Sequence, residues 1–315
     1  MSGGVVTILP EMPSLSRLYL TAAAAAAKNR MLGGHQPGQP AELPQASHEV
    51  HSVLADVARL TEYQHLLGGS ARDVMPAGFI HTLAFPVAMS LMVREDFPLP
   101  LLGMIHLQNR IEQFEPILYA QPLAIRAWAT ELTGHRAGTQ VDVVVEVRAD
   151  DGGTRPRSEG NGSCLWRGIS TYLAKGIFLP GLDKSIEARP APDFAAPDPT
   201  ALWRLGPDVG RSYAAVSGDF NPIHLSALSA KVLGMRRSIA HGMYLASRVL
   251  TEVGSPEPDA FSADISFEAP VFLPATLALR IGDGPAVDGG SSRSEYEGWN
   301  PRTGRRHFSG SVSPL

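Results

Sequence analysis

The chain has 315 residues, 44% apolar and 18% charged, so it can bury a sizeable core and is not a disordered segment. Its 27 basic residues against 31 acidic ones give a formal net charge of −4, which offers no electrostatic footprint for nucleic acid or an anionic membrane surface. The single cysteine, Cys164, excludes a disulfide framework and a multi-cysteine metal centre and fits a reducing, cytoplasmic setting.

The length suits one large domain or two of about 150 residues. Glycine and proline number 31 and 26, well above the usual combined share of about 12%, and favour many turns and several strands over a helical bundle. Residues 15–27 (LSRLYLTAAAAAA) are alanine-rich and read as a surface helix. Glu11 and Pro13 precede that run and no basic residue lies ahead of Arg17, so it does not read as a secretory signal. It is also shorter than the roughly 20 apolar residues of a membrane span. Residues 33–44, rich in Gly, Pro and Gln, read as a linker.

Further along, residues 79–93 and 239–250 are apolar with helical spacing; in the second stretch Ala240, Met243, Ala246, Val249 and Leu250 make one face. Residues 140–148 (QVDVVVEVR) alternate and are β-branched, which predicts a strand between turns at 134–138 and 151–153. Residues 165–174, 261–267, 272–281, 292–296 and 306–312 read as further strands. Each half is thus a long helix with about four antiparallel strands, and wrapping the sheet around the helix gives an α+β fold.

The halves resemble each other. EPILYAQPLAIR at 115–126 aligns without gaps on APVFLPATLALR at 269–280, an offset of 154, and Asp56-Val57-Ala58-Arg59 recurs as Asp208-Val209-Gly210-Arg211, an offset of 152. Solenoid repeats run about 20–50 residues, so this spacing means duplication of a whole domain. Residues 188–199 (ARPAPDFAAPDP), with four prolines, read as the joint. The expected organisation is an N-terminal helix and linker at 1–44, one copy at 45–180, a Pro-rich linker at 181–200 and a second copy at 201–315.

Chemistry concentrates at 213–224, YAAVSGDFNPIH. Asn221-Pro222 is a helix start, with Asn as N-cap and Pro in the first turn; the helix should bury Leu225, Leu228 and Val232 and stop at Gly234. His224 then lies in the first helical turn and Asp219 in the loop before it, with Ser217-Gly218 permitting a tight approach. A carboxylate and an imidazole so held can activate a water and move a proton at neutral pH. Read from spacing alone, a turn-capping Asp219 and a packing His224 are the commoner case, because Asp and Asn are ordinary turn residues.

The segment closely resembles the signature of the MaoC-like dehydratases, the R-specific enoyl-thioester hydratases: an aromatic residue, a small stretch, Ser-Gly-Asp, any residue, Asn-Pro, an aliphatic residue and His. Tyr213, Ser217, Gly218, Asp219, Asn221, Pro222, Ile223 and His224 match it, and Ala240-His241-Gly242-Met243 resembles the element that opens the family's central helix. The resemblance implies a hotdog fold, here a double hotdog of two antiparallel sheets each wrapped around a long helix. It implies that Asp219 and His224 hold the water that adds to C3 of a trans-2-enoyl thioester, giving an (R)-3-hydroxyacyl product. It further implies that the Gly242 N–H faces the developing enolate oxygen, that Asn221 orients the loop, that Tyr213 and His241 support the site, and that no metal or cofactor is required. The partner is an acyl thioester of coenzyme A or of a carrier protein, and the tandem chain can stand as a monomer or form a further dimer.

The first copy departs from this pattern: Asp219 corresponds to Leu67 and His224 to Arg72, so the dyad is absent there. That copy is expected to be non-catalytic, with Pro86 kinking its helix near Val87 and Leu91 to make room for an acyl chain. His81 and His106 read as core histidines and Cys164 as inert. Arg236-Arg237 and the group Arg302, Arg305 and Arg306 are candidate phosphate contacts. A hotdog thioesterase and a non-catalytic acyl-thioester-binding protein are the competing functions.

Overall fold

The computed structural model describes residues 4–31, 42–150, 163–183, 194–232, 234–253, 260–284 and 293–315. In chain order the elements are β1 (Val5–Ile8), α1 (Leu15–Met31), β2 (Ala46–Val53), α2 (Val57–Leu66), α3 (Ala77–Met92), β3 (Met104–Gln113), β4 (Leu123–His135), β5 (Gly138–Ala149) and β6 (Cys164–Lys175). There follow β7 (Ala201–Leu205), α4 (Val209–Ser217), α5 (Pro222–Leu225), α6 (Ala227–Val232), α7 (Gly242–Val253), β8 (Phe261–Phe267), β9 (Ala275–Asp283), β10 (Ser294–Trp299) and β11 (Arg306–Pro314). The chain is therefore α+β, and the strands expected at 140–148, 165–174, 261–267 and 306–312 are β5, β6, β8 and β11.

Two compact units emerge, and they interleave segments of sequence. The first holds residues 1–54, 83–107 and 120–189; the second holds 55–82, 108–119 and 190–315. In the first unit β1 lies parallel to β2, and β2, β4, β5 and β6 follow as antiparallel neighbours. Along β5 the residues Val141, Val143, Val145 and Val147 are buried on one face, and Val144 and Glu146 on the other face are buried too. The opposite face carries Glu146, whose carboxylate takes ion pairs at 2.7 Å from both Arg148 and Arg167. The latter half of α3 is tied to β2 through His48 Nδ1 and Ser90 Oγ at 2.8 Å, and Ser90 in turn donates to the Val87 carbonyl. Val87 and Leu91 are fully buried. Cys164 is half-buried, and burial pushes its thiol above the ordinary range, which keeps it protonated and unreactive.

In the second unit all neighbours are antiparallel, in the order residues 108–113 of β3, then β8, β11, β10, β9 and β7. Helix α7 packs on this sheet: Glu252 accepts from Trp203 Nε1 at 2.7 Å, the Arg248 guanidinium lies over the Trp203 ring, and Gly242 meets the Phe267 ring. Met243, Ala246, Val249 and Leu250 are buried, the face its spacing predicts.

Several sequence expectations are corrected. Strand β9 begins at Ala275 and not at Phe272, since Pro274 has no N–H to offer a ladder. The helix expected from Pro222 to Gly234 is two pieces, α5 and α6, broken at Ser226, whose backbone is extended. Leu228 is 76% exposed, and Ala230 is the residue that faces inward. The Pro-rich joint does pack in part: Phe194 sits edge-on to Trp299 and beneath the Arg306 guanidinium. Its residues 188–193 lie outside the described residues, as do most of the 33–44 linker and the turn at 151–153.

Candidate active site

The signature segment is built by local hydrogen bonds. Ser217 Oγ accepts from the Asp219 N–H at 3.2 Å, Asp219 Oδ1 from the Asn221 N–H at 3.1 Å, and Asn221 Oδ1 from the Ile223 N–H at 3.3 Å. Three polar side chains thus each hold the amide two residues on, which only short oxygen-bearing side chains can do. Gly218 ends α4 in the left-handed region, at φ 79°, where a Cβ would strain the backbone. Pro222 opens α5 behind the Asn221 cap, as its fixed φ favours. Gly210 completes the packing: a Cβ there would collide with the carbonyl oxygen of His224.

This loop presents the Asp219 carboxylate to two buried imidazoles. His224 Nδ1 donates to the Ile239 carbonyl at 2.9 Å, which leaves Nε2 as its lone-pair nitrogen. His241 Nε2 donates to the Asp219 carbonyl oxygen at 3.0 Å and lies 3.8 Å from Asp219 Oδ2. The two rings stack with centroids 3.6 Å apart. Burial, and then the neighbouring His241, hold His224 down to about 3, so it is a neutral imidazole at physiological pH; burial lowers His241 as well. Tyr213 is buried beneath, its ring 5.0 Å from His241 and 5.7 Å from Tyr244.

The donor atoms of Asp219, His224 and His241 lie within 4.8 Å of one another, a span that one water can bridge. It is a poor metal cage. Stacked rings aim their lone pairs along nearly parallel planes, whereas a bound ion needs ligands converging at about 2.0–2.1 Å. Oδ1 of Asp219 is also already engaged by the loop. The arrangement suits proton transfer through water.

All eight residues singled out from sequence are placed here: Tyr213, Ser217, Gly218, Asp219, Asn221, His224 and His241 within the cluster, and Gly242 at the first turn of α7, where a helix leaves N–H groups without intrahelical partners. Sequence reading missed the part that two residues of the segment 55–82 play at this cluster. His81 on α3 is buried beside the Asp219 charge, and burial brings it down to about 4. Arg59 on α2 reaches the last carbonyls of α4. The Asp-Val-x-Arg repeat marked Arg59 but not its task. At the positions that the internal repeat sets against Asp219 and His224, Leu67 is buried, and the buried Gln64 brackets Arg72 through both of its backbone groups.

Among the phosphate candidates, Arg236 stacks on Phe272 at 4.1 Å and stays exposed, whereas Arg306 is engaged by Glu268 and Glu297. No helix among the described residues is long and apolar enough to cross a membrane.

Comparison with known proteins gives a consistent result. Residues 187–292 match the MaoC-like domain family. The chain is 35% identical over 252 residues to 3-hydroxyacyl-thioester dehydratase X of Mycobacterium tuberculosis, covering 79% of this chain and 83% of that protein. It is 38% identical over 74 residues to the (R)-specific enoyl-CoA hydratase of Aeromonas caviae, covering 22% of this chain and 55% of that protein. The crystal structure of HtdX of M. tuberculosis superposes with a TM-score of 0.70 at 31% identity, covering 85% of this chain and all of that one.

Proposed function

The chain belongs to the MaoC-like dehydratase family, and on that premise we propose that it catalyses the reversible hydration of trans-2-enoyl thioesters to (R)-3-hydroxyacyl thioesters. The observation that carries the reading is the loop in which Ser217, Asp219 and Asn221 hold one another and bring a carboxylate within 4.8 Å of an imidazole nitrogen of His224.

In this mechanism Asp219 and His224 hold one water over C3 of the substrate. The water's oxygen bonds to C3, one of its protons passes into the dyad, and a proton is returned to C2, so that H and OH add across the double bond. The thioester carbonyl takes up the electron pair as an enolate before C2 is protonated. The Gly242 N–H, at the positive end of α7, is suited to that oxygen. A glycine allows the close approach, since the Phe267 ring leaves no room for a Cβ. Neutral His224 has a bare Nε2, so it must first take the proton that the water loses; a buried imidazole of low basicity then passes that proton on to C2 readily.

The proposal extends to architecture. The chain is a double hotdog in which the copy at 45–180 lacks the dyad and the copy at 201–315 carries it, with the Pro-rich segment 181–200 between them and an N-terminal helix and linker at 1–44. It acts in the cytoplasm on an acyl-CoA or acyl-carrier-protein thioester.

Absorbance of the conjugated enoyl thioester, followed with crotonyl-CoA and with a long trans-2-enoyl-CoA, tests the reaction. Loss of conjugation with an (R)-3-hydroxyacyl product is expected. Release of free thiol with the double bond intact would make the protein a thioesterase instead, and no change in either would leave a binding role.

A further inference from the structure

We propose that Arg59, supplied by the copy that lacks the dyad, is the positioning residue that sets the Asp219 loop for reaction. Its role as an aid to catalysis rests on the hydratase reading above; its role in holding the loop does not.

The internal repeat gives each copy an Asp-Val-x-Arg at a helix start, and the two arginines have been put to different work. In α4, Arg211 turns back on its own copy, pairing with Asp208 and donating to the Leu225 carbonyl at 3.1 Å. In α2, Asp56 is occupied as a true N-cap, accepting from the Arg59 N–H at 2.8 Å. The Arg59 guanidinium is thereby left to reach across 157 residues of sequence. Its Nε donates to the Val216 carbonyl at 2.6 Å, and its Nη2 donates to the Ser217 carbonyl and to Thr82 Oγ1, each at 3.0 Å.

Val216 and Ser217 close α4, so their carbonyls are among those a helix end leaves unpaired, at the negative pole of its dipole. A planar cation with donors in a fixed fork can hold two of them at once. The next residue is Gly218, in the left-handed region, and the one after that is Asp219. Because Ser217 Oγ accepts from the Asp219 amide, Arg59 is separated from the catalytic loop by one residue and one hydrogen bond. Its third partner, Thr82, adjoins His81, whose ring lies beside the Asp219 charge, and the guanidinium itself rests 5.6 Å from the Phe79 ring centre. One half-buried side chain thus ties the end of α4 to the first turns of α3.

The test uses the full chain with Arg59→Met and Arg59→Lys. A loop shifted by an ångström or so should lower kcat on the order of 10²-fold in Arg59→Met with KM little changed. Arg59→Lys should recover part of that loss, since an ammonium keeps the charge but cannot span both carbonyls. Added methylguanidinium should raise the kcat of Arg59→Met and leave the wild type unaffected. Hydrogen exchange, read on peptides spanning 214–221, should be faster in Arg59→Met while peptides from β8 and β11 are unchanged. If exchange in 214–221 stays at the wild-type rate, or rises equally across the sheet with kcat falling only as the folded fraction falls, the assignment is overturned. If the wild-type protein hydrates no enoyl thioester yet Arg59→Met loosens 214–221 alone, the loop-holding role stands and the hydratase reading fails.

Discussion

His224 Nδ1 meets the carbonyl oxygen of Ile239 at 2.9 Å. Since a carbonyl can only accept, Nδ1 carries the proton and Nε2 is left with its lone pair. Ile239 lies three residues before Gly242, where α7 begins, so one bond joins the loop carrying Asp219 and His224 to the approach to that helix.

Replacing either member of the pair should stop the chemistry without unfolding the protein. His224→Ala and Asp219→Asn are each expected to lower kcat by about 10²–10⁴-fold, the usual worth of a positioned acid or base, with KM much less affected. Steady-state hydration rates beside a thermal melt check this. Two variants that hydrate at wild-type rate would place the site elsewhere.

Acid should destabilise the protein through its buried imidazoles. His224 and His81 stay neutral down to about 3 and about 4 when folded, whereas both bind a proton near 6.5 when unfolded. The unfolded state therefore holds more protons across that interval, and stability falls as pH drops from 6.5 towards 4. The slope rises from half of about 1.4 kcal/mol per histidine per pH unit at pH 6.5 to nearly all of it at pH 5, so the two account for about 3 kcal/mol over that interval. Urea unfolding at both pH values measures the loss, and His81→Leu should reduce it by about 1.5 kcal/mol, the share of one such histidine. An unchanged loss in that variant contradicts the assignment.

Two glycines four residues apart should respond oppositely. Gly210→Ala forces a methyl against the His224 carbonyl and should cost about 2 kcal/mol or more, with activity falling alongside. Gly206→Ala meets nothing within 4 Å and should be neutral or stabilise by a few tenths of a kcal/mol. Denaturation midpoints of the two variants decide the matter.

The Asn221 cap can be separated from its identity. Asn221→Ala removes the oxygen that takes the Ile223 N–H and should cost about 1 kcal/mol, while Asn221→Ser, which keeps an oxygen in reach, should lose only part of that. The rate of hydration should follow the same order.

What could be read in the sequence was what is local. Ser217, Asp219 and Asn221 each bond two residues ahead, so their geometry is written in their spacing, and β8 and α7 declare themselves by periodicity. Strands β1, β2, β3, β4 and β7 escaped notice: β2 because ASHEVHSV mixes polar and apolar residues, and β1 and β7 because four or five residues are too few to show a period. Arg59 and His81 were hidden for a different reason: they come to the Asp219 loop from more than 130 residues away, and nothing in a run of sequence reports such a meeting. Interleaving of 55–82 with 190–315 in one unit has the same origin.

The most direct test of the account is the chiral product of crotonyl-CoA hydration, measured on wild-type protein and on Asp219→Asn side by side. The account predicts loss of conjugation to an (R)-3-hydroxybutyryl thioester with the wild type and almost none with the variant. An (S) product, free thiol with the double bond retained, or equal rates from the two proteins would contradict it.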